Sequence, residues 1–105
     1  MDFDISKTPE FENDLEEILF YIGSENLDAA IRFTISLEET LLLLATQPFA
    51  GFERTFENEL VGPLRFWPVK GFDRYLIAYQ PDRGAGTVLI VRVLNTYRDF
   101  EAIFS

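Results

Sequence analysis

A chain of 105 residues with net charge −9, 48% hydrophobic and 15% aromatic residues reads as one globular domain over residues 1–105, not a disordered segment. It holds neither cysteine nor histidine, which removes disulfides, thiolate chemistry, the commonest general base and the commonest zinc ligand. No stretch approaches the ~18 apolar residues of a membrane span, and Met1-Asp2-Phe3-Asp4 is too acidic to open a signal peptide. A cytoplasmic location is therefore expected, with no membrane contact.

In chain order, Phe3-Asp4-Ile5-Ser6 alternates and predicts a short edge strand. Thr8-Pro9 supplies an N-cap and a proline at the first helical position, and Glu10 and Glu12 suit the positive end of a helix. Phe11, Leu15, Ile18, Leu19 and Ile22 fall on one face of that helix. Gly23 and the Ser24-Glu25-Asn26 stretch are expected to close it, and Asn26 to cap the next. The second helix is predicted from Leu27 to Thr46, with Ala30, Phe33, Leu37, Leu41 and Leu44 in one apolar stripe and Ile31, Ile35 and Leu42 in a second. Either the first helix or a partner covers that second stripe; the short link makes an antiparallel hairpin and favours intramolecular packing.

Residues 47–62 read as a surface loop pinned by Phe49, Phe52 and Phe56. Three β-rich runs follow. Pro68 within the first implies an edge or a bulge. Tyr75, Ile77 and Tyr79 share a face of the next run, and Leu89, Val91 and Val93 are expected to form the apolar face of the last, with Arg92 pointing the other way. Asp82-Arg83-Gly84-Ala85-Gly86 is a hairpin loop. The expected architecture is α+β in the order βααβββ, a helical hairpin on a small, mostly antiparallel sheet with a short C-terminal tail or helix.

Charge divides unevenly. Residues 1–60 carry fourteen acids against three bases, and residues 61–105 four acids against six bases. An anionic partner would therefore meet the second half, while the overall charge opposes strong direct nucleic-acid binding. Arg65, Arg92 and Arg98 are the leading polar candidates. Each either faces an anion or serves the scaffold; Arg92 in particular can pair with a carboxylate such as Asp99. Trp67, with Phe66 and Phe72, is either core, a platform for stacking bases or an interface anchor, and Tyr97 either a packing aromatic or an acid. The glutamates of the helices read as a solvated face, so no metal site and no cofactor are expected.

These pieces, in order, resemble the ParE-like branch of the RelE/ParE superfamily of type II toxins. The resemblance rests on Asp14-Leu15-Glu16-Glu17-Ile18 with Tyr21-Ile22, Asn26-Leu27-Asp28-Ala29-Ala30 with Arg32-Phe33, Pro48-Phe49-Ala50-Gly51, Leu64-Arg65 with Pro68-Val69, Tyr75-Leu76-Ile77, and Val91-Arg92-Val93-Leu94 with Arg98-Asp99. It implies a non-enzymatic toxin that binds DNA gyrase and is silenced by a cognate antitoxin, whose helix would cover the hairpin and whose strand would extend the sheet. Arg65, Trp67, Arg92, Tyr97 and Arg98 would then be partner contacts. RelE-like members instead cleave messenger RNA on the ribosome, which is the enzymatic alternative; a homologue that binds antitoxin without toxicity is a third.

Overall fold

A computed structural model describes residues 2–105. The elements run β1 (Asp4–Lys7), α1 (Pro9–Glu25), α2 (Leu27–Thr46), β2 (Phe52–Arg54), β3 (Leu64–Val69), β4 (Phe72–Asp82), β5 (Thr87–Asn95) and α3 (Phe100–Ile103). The sheet has five strands in the order β1-β5-β4-β3-β2, antiparallel except for the parallel pair β1–β5. The helical hairpin packs on one face, as expected. No helix among the described residues is long and apolar enough to cross a membrane.

Local chemistry sets the hairpin. The Thr8 hydroxyl accepts the Phe11 N–H at 3.0 Å and donates to the Val91 carbonyl at 2.7 Å, so one side chain caps α1 and ties it to β5. α1 ends at Glu25, within the Gly23–Asn26 stretch expected to close it. Asn26, in extended conformation, ends it by donating its N–H to the Ile22 carbonyl at 2.8 Å and starts α2 by accepting the Ala29 N–H at 3.0 Å. One residue serves both helices, so no left-handed glycine is needed.

Ala30, Phe33, Leu37, Leu41 and Leu44 are buried as predicted. The second stripe is not: Ile31, Ile35 and Leu42 are 52%, 54% and 68% exposed, so α1 leaves it open. The intramolecular packing favoured by the short link does not occur, because the hairpin lies flat on the sheet and both helices turn their first stripe inward.

β2 lies inside the segment read as a loop, pairing Phe52 with Phe66 and Arg54 with Leu64. Pro68 stands beyond the end of β2, where the outer edge of β3 is free, and next to a register shift at Pro68/Val69. A bulge in β5 also revises its predicted alternation. Ala78 pairs with Arg92 and Tyr79 with Ile90, leaving Val91 as the extra residue. The helix-side core therefore takes Val88, Ile90 and Val93, not Leu89, Val91 and Val93. Val91 and Leu94 join a second cluster with Phe56, Leu64, Phe66, Ala78 and Phe104, covered by the segment before β3 and by α3. There Phe66 stacks between Phe52 and Phe100, each centroid 5.5 Å away.

Candidate partner-binding surface

The five residues singled out from the sequence separate into two groups. Arg65 is part of the scaffold around the 48–51 turn. Its Nη1 donates to the carbonyls of Phe49 at 3.2 Å and Gly51 at 2.8 Å, and its Nη2 reaches Glu53 at 3.4 Å. Gly51 is itself held by Tyr79, whose hydroxyl accepts the Gly51 N–H at 2.9 Å. A Cβ on Gly51 would lie 2.5 Å from that hydroxyl and 2.7 Å from the Phe66 carbonyl, so only glycine fits. Burial pushes the Tyr79 phenol up, against the smaller opposing pull of the Gly51 N–H and the Arg65 charge.

Trp67 is half-buried against the helix-side core. Arg92 makes a two-pronged pair, Nε to Asp14 Oδ2 at 2.6 Å and Nη2 to Asp14 Oδ1 at 2.8 Å. Asp14 Oδ2 also accepts the Val93 N–H at 3.2 Å. The hydrogen bond to Asp14 raises the Arg92 pKa above its ordinary value, against the opposing effect of burial. The partner is thus Asp14 on α1, not Asp99, whose Oδ1 instead caps α3 by accepting the Ala102 N–H at 3.2 Å. The sequence held a signal for this: Asp14 stands three residues after Phe11 and four before Ile18, on the core-facing stripe. A carboxylate there requires a partner.

Tyr97 and Arg98 remain on the surface, Tyr97 at 76% exposure. They sit in a turn after β5 that is fixed by three bonds: Thr96 N–H to the Arg74 carbonyl at 2.7 Å, Tyr97 N–H to Asn95 Oδ1 at 2.9 Å, and Arg98 N–H to the Asn95 carbonyl at 3.0 Å. Arg74 joins them from β4. Its Nη1 donates to the Tyr97 hydroxyl and its guanidinium lies 5.0 Å from the ring centroid. Sequence reasoning missed Arg74; the pairing of Tyr75 with Asn95 is what brings it opposite the turn.

Concavities flank Arg98 on two sides. One, of about 230 Å³, lies between α1 and β5 and is walled by Glu17, Ile18, Tyr21, Tyr75 and Asn95. The other, of about 290 Å³, is floored by Phe66, Leu76 and Phe100. Arg32, Arg74, Arg83 and Arg98 form no ion pair among the described residues, whereas Lys7, Arg54, Arg65, Lys70 and Arg92 do. No group of three metal-ligating side chains occurs among the described residues. The arrangement offers an arginine–tyrosine–arginine knuckle suited to hydrogen-bonding and stacking against a partner.

No curated protein matches the chain. The family model described as the ParE toxin of the type II toxin–antitoxin system, parDE, matches residues 5–100, which takes in both long helices and the whole sheet except Asp4 at the start of β1. The chain belongs to the ParE toxin family of type II toxin–antitoxin systems.

Proposed function

We propose that this toxin inhibits DNA gyrase by protein–protein binding, without chemistry of its own, and that a cognate antitoxin neutralises it. The observation that carries the reading is the Arg74–Tyr97–Arg98 knuckle. In a molecule of net charge −9, two arginines with no carboxylate partner among the described residues flank an exposed tyrosine on a turn held by backbone bonds. Arginine and tyrosine are the residue types that anchor interfaces, and a fixed turn lowers the ordering cost of binding. Arg65, Trp67 and Arg92 enter as supports of the platform rather than as direct contacts.

The hairpin supplies the surface for the antitoxin. Phe20, Leu27, Ile31, Ile35 and Leu42 are exposed among the glutamates and aspartates of α1 and α2. A basic amphipathic helix matches both the apolar stripe and the charge.

A gyrase supercoiling and cleavage assay with antitoxin-free protein tests the reading. Trapped cleaved DNA is expected, and its loss in the double variant Arg74→Glu/Arg98→Glu. Folded protein that neither binds gyrase nor changes strand passage overturns it. Ribosome-dependent messenger cleavage in place of gyrase inhibition would make the chain a RelE-like endoribonuclease instead.

A further inference from the structure

The outer face of the sheet is covered by two short pieces of chain that leave Leu76 open. Gln80 Nε2 donates to the Val61 and Pro63 carbonyls at 2.9 and 3.1 Å, which pins the segment before β3 at the other end of β4. From the C-terminus comes α3, a single turn of four residues, ~6 Å long. Leu76 lies on the same face as Ala78, two residues along β4, and as Phe66, the partner of Ala78. It is half-buried, in the floor of the concavity of about 290 Å³ beside Arg98. That volume falls short of the ~300–1,000 Å³ of a pocket for a drug-sized ligand and suits one large side chain.

The walls select that side chain. Phe52, Phe66 and Phe100 form a row of nearly parallel rings, at interplanar angles of 21° and 20°. Against such a wall an aromatic ring gains quadrupole contacts that an aliphatic chain does not. The charges on the rim differ in what they leave free. Glu101 is taken by Arg54 at 3.0 Å, and Asp99 Oδ1 caps α3. Arg98 has no ion pair among the described residues, and its guanidinium can lie over a bound ring or meet a carboxylate. A single carboxylate is tolerated there, whereas a phosphate backbone would meet Asp99, Glu101 and a net charge of −9.

We propose that this pocket is the anchor site for the protein that the knuckle meets: it takes one aromatic side chain of that partner, whose neighbouring aspartate or glutamate pairs with Arg98. An aromatic anchor in a fitted pocket beside a charged contact is the arrangement that concentrates binding energy at an interface. The pocket and the knuckle are continuous, because Thr96 and Arg98 belong to both the turn and the rim. The proposal deepens the gyrase-binding reading, on which it rests for the existence of a protein partner. Its test reads peptide binding as well as gyrase inhibition, so the two fail separately.

The probes are end-blocked tetrapeptides with Tyr-Asp, Leu-Asp or Tyr-Lys at the centre, and a thymidine dinucleotide, titrated into protein with ¹³C-labelled leucine methyls. The Tyr-Asp peptide is expected to shift the Leu76 methyls and to bind about 2- to 10-fold more tightly than Leu-Asp, the range of an aromatic pair. It should exceed Tyr-Lys by about 3- to 5-fold, the size of an exposed charge pair, and Arg98→Glu should reverse that order. Leu76→Trp fills the pocket from its floor. Thr96→Trp, at an exposed rim position, closes it without touching the core, and decides the matter if Leu76→Trp fails to fold. Each folded variant should weaken Tyr-Asp binding and gyrase inhibition at least ~10-fold. Peptide binding by a wild type that leaves gyrase untouched supports the pocket and overturns the gyrase reading alone. Four outcomes overturn the proposal: no peptide moves Leu76, Leu-Asp binds as well as Tyr-Asp, the dinucleotide displaces the peptide, or Thr96→Trp binds and inhibits as the wild type does.

Discussion

The two faces of the sheet are closed by different means. On the helix side, elements of 17 and 20 residues bury Phe11, Phe33, Leu37 and Leu44 against Ile77, Tyr79, Val88 and Ile90, and the Asp14–Arg92 pair locks α1 to the end of β5. On the other face, a segment with little regular structure and a four-residue helix hold Phe56, Phe66, Phe100 and Phe104 in an aromatic cluster. The polar groups of the first side are spent inside the molecule. Those at the β4–β5 end are left facing outward. The side chains spent on holding the molecule together and those that the proposed function offers to a partner thus lie in different regions, with Arg92 and Arg98, six residues apart, on opposite sides of that division.

The largest effect expected is in the helix-side core. Phe33 is fully buried and meets Phe72 and Tyr75 edge-on at 5.1 and 5.2 Å, so Phe33→Ala should cost about 3–5 kcal/mol in urea unfolding. Phe104→Ala, just after the short α3, which is free to settle into the space, should cost at least ~1 kcal/mol less. Equal losses would mean that the two faces are equally rigid and would remove the contrast.

Next comes the lock. Asp14→Ala leaves a half-buried guanidinium and the Val93 N–H without their acceptor, a loss of about 3 kcal/mol. Replacing both partners by apolar residues, Asp14→Leu with Arg92→Met, should recover most of it, since the pair offsets its own desolvation rather than adding much beyond that. If the double variant is as unstable as the single one, the pair contributes more than mutual satisfaction.

Tyr79 carries the pH-dependent part. Tyr79→Phe removes the acceptor of the buried Gly51 N–H, for about 1–3 kcal/mol at neutral pH. Because burial raises the folded phenol above its ordinary value of 10.0, the unfolded chain loses this proton first as pH rises. The associated stability is complete below pH ~10 and declines between the unfolded and folded values. Unfolding midpoints followed from pH 8 to 11 should fall less steeply for Tyr79→Phe than for the wild type. Parallel slopes would show that another group controls the alkaline limit.

The fold was legible where period and capping agree. Thr8-Pro9, Asn26 and the Ala30–Leu44 stripe act within a few residues of one another, so local physics suffices. Three things were not legible, and each depends on residues distant in the chain. The bulge at Val91 is set by the pairing of β4 with β5 and reverses which residues of β5 face the helices. The exposure of Ile31, Ile35 and Leu42 follows from how the hairpin lies, which no period within α2 encodes. The Asp14–Arg92 pair spans 78 positions, so a nearer carboxylate, Asp99, was the natural sequence choice. Of the candidate surface, Tyr97 and Arg98 were readable as polar residues after the last strand; Arg74 was not, because only the strand pairing brings it to them.

The smallest stability effect is expected at the knuckle itself, and there it is the contrast with function that counts. Tyr97→Ala removes one exposed cation–π contact with Arg74, worth ~0.5–1 kcal/mol. Arg98→Glu removes no ion pair found among the described residues and should leave the unfolding midpoint within ~0.5 kcal/mol of wild type. Both should nevertheless weaken partner binding several-fold, measured side by side with Arg92→Lys, which keeps the charge but not the two-pronged geometry and should lower stability more than it lowers affinity. If Arg98→Glu instead unfolds the protein as readily as the Asp14 variant does, the turn after β5 belongs to the scaffold, and the division between the two regions has to be drawn elsewhere.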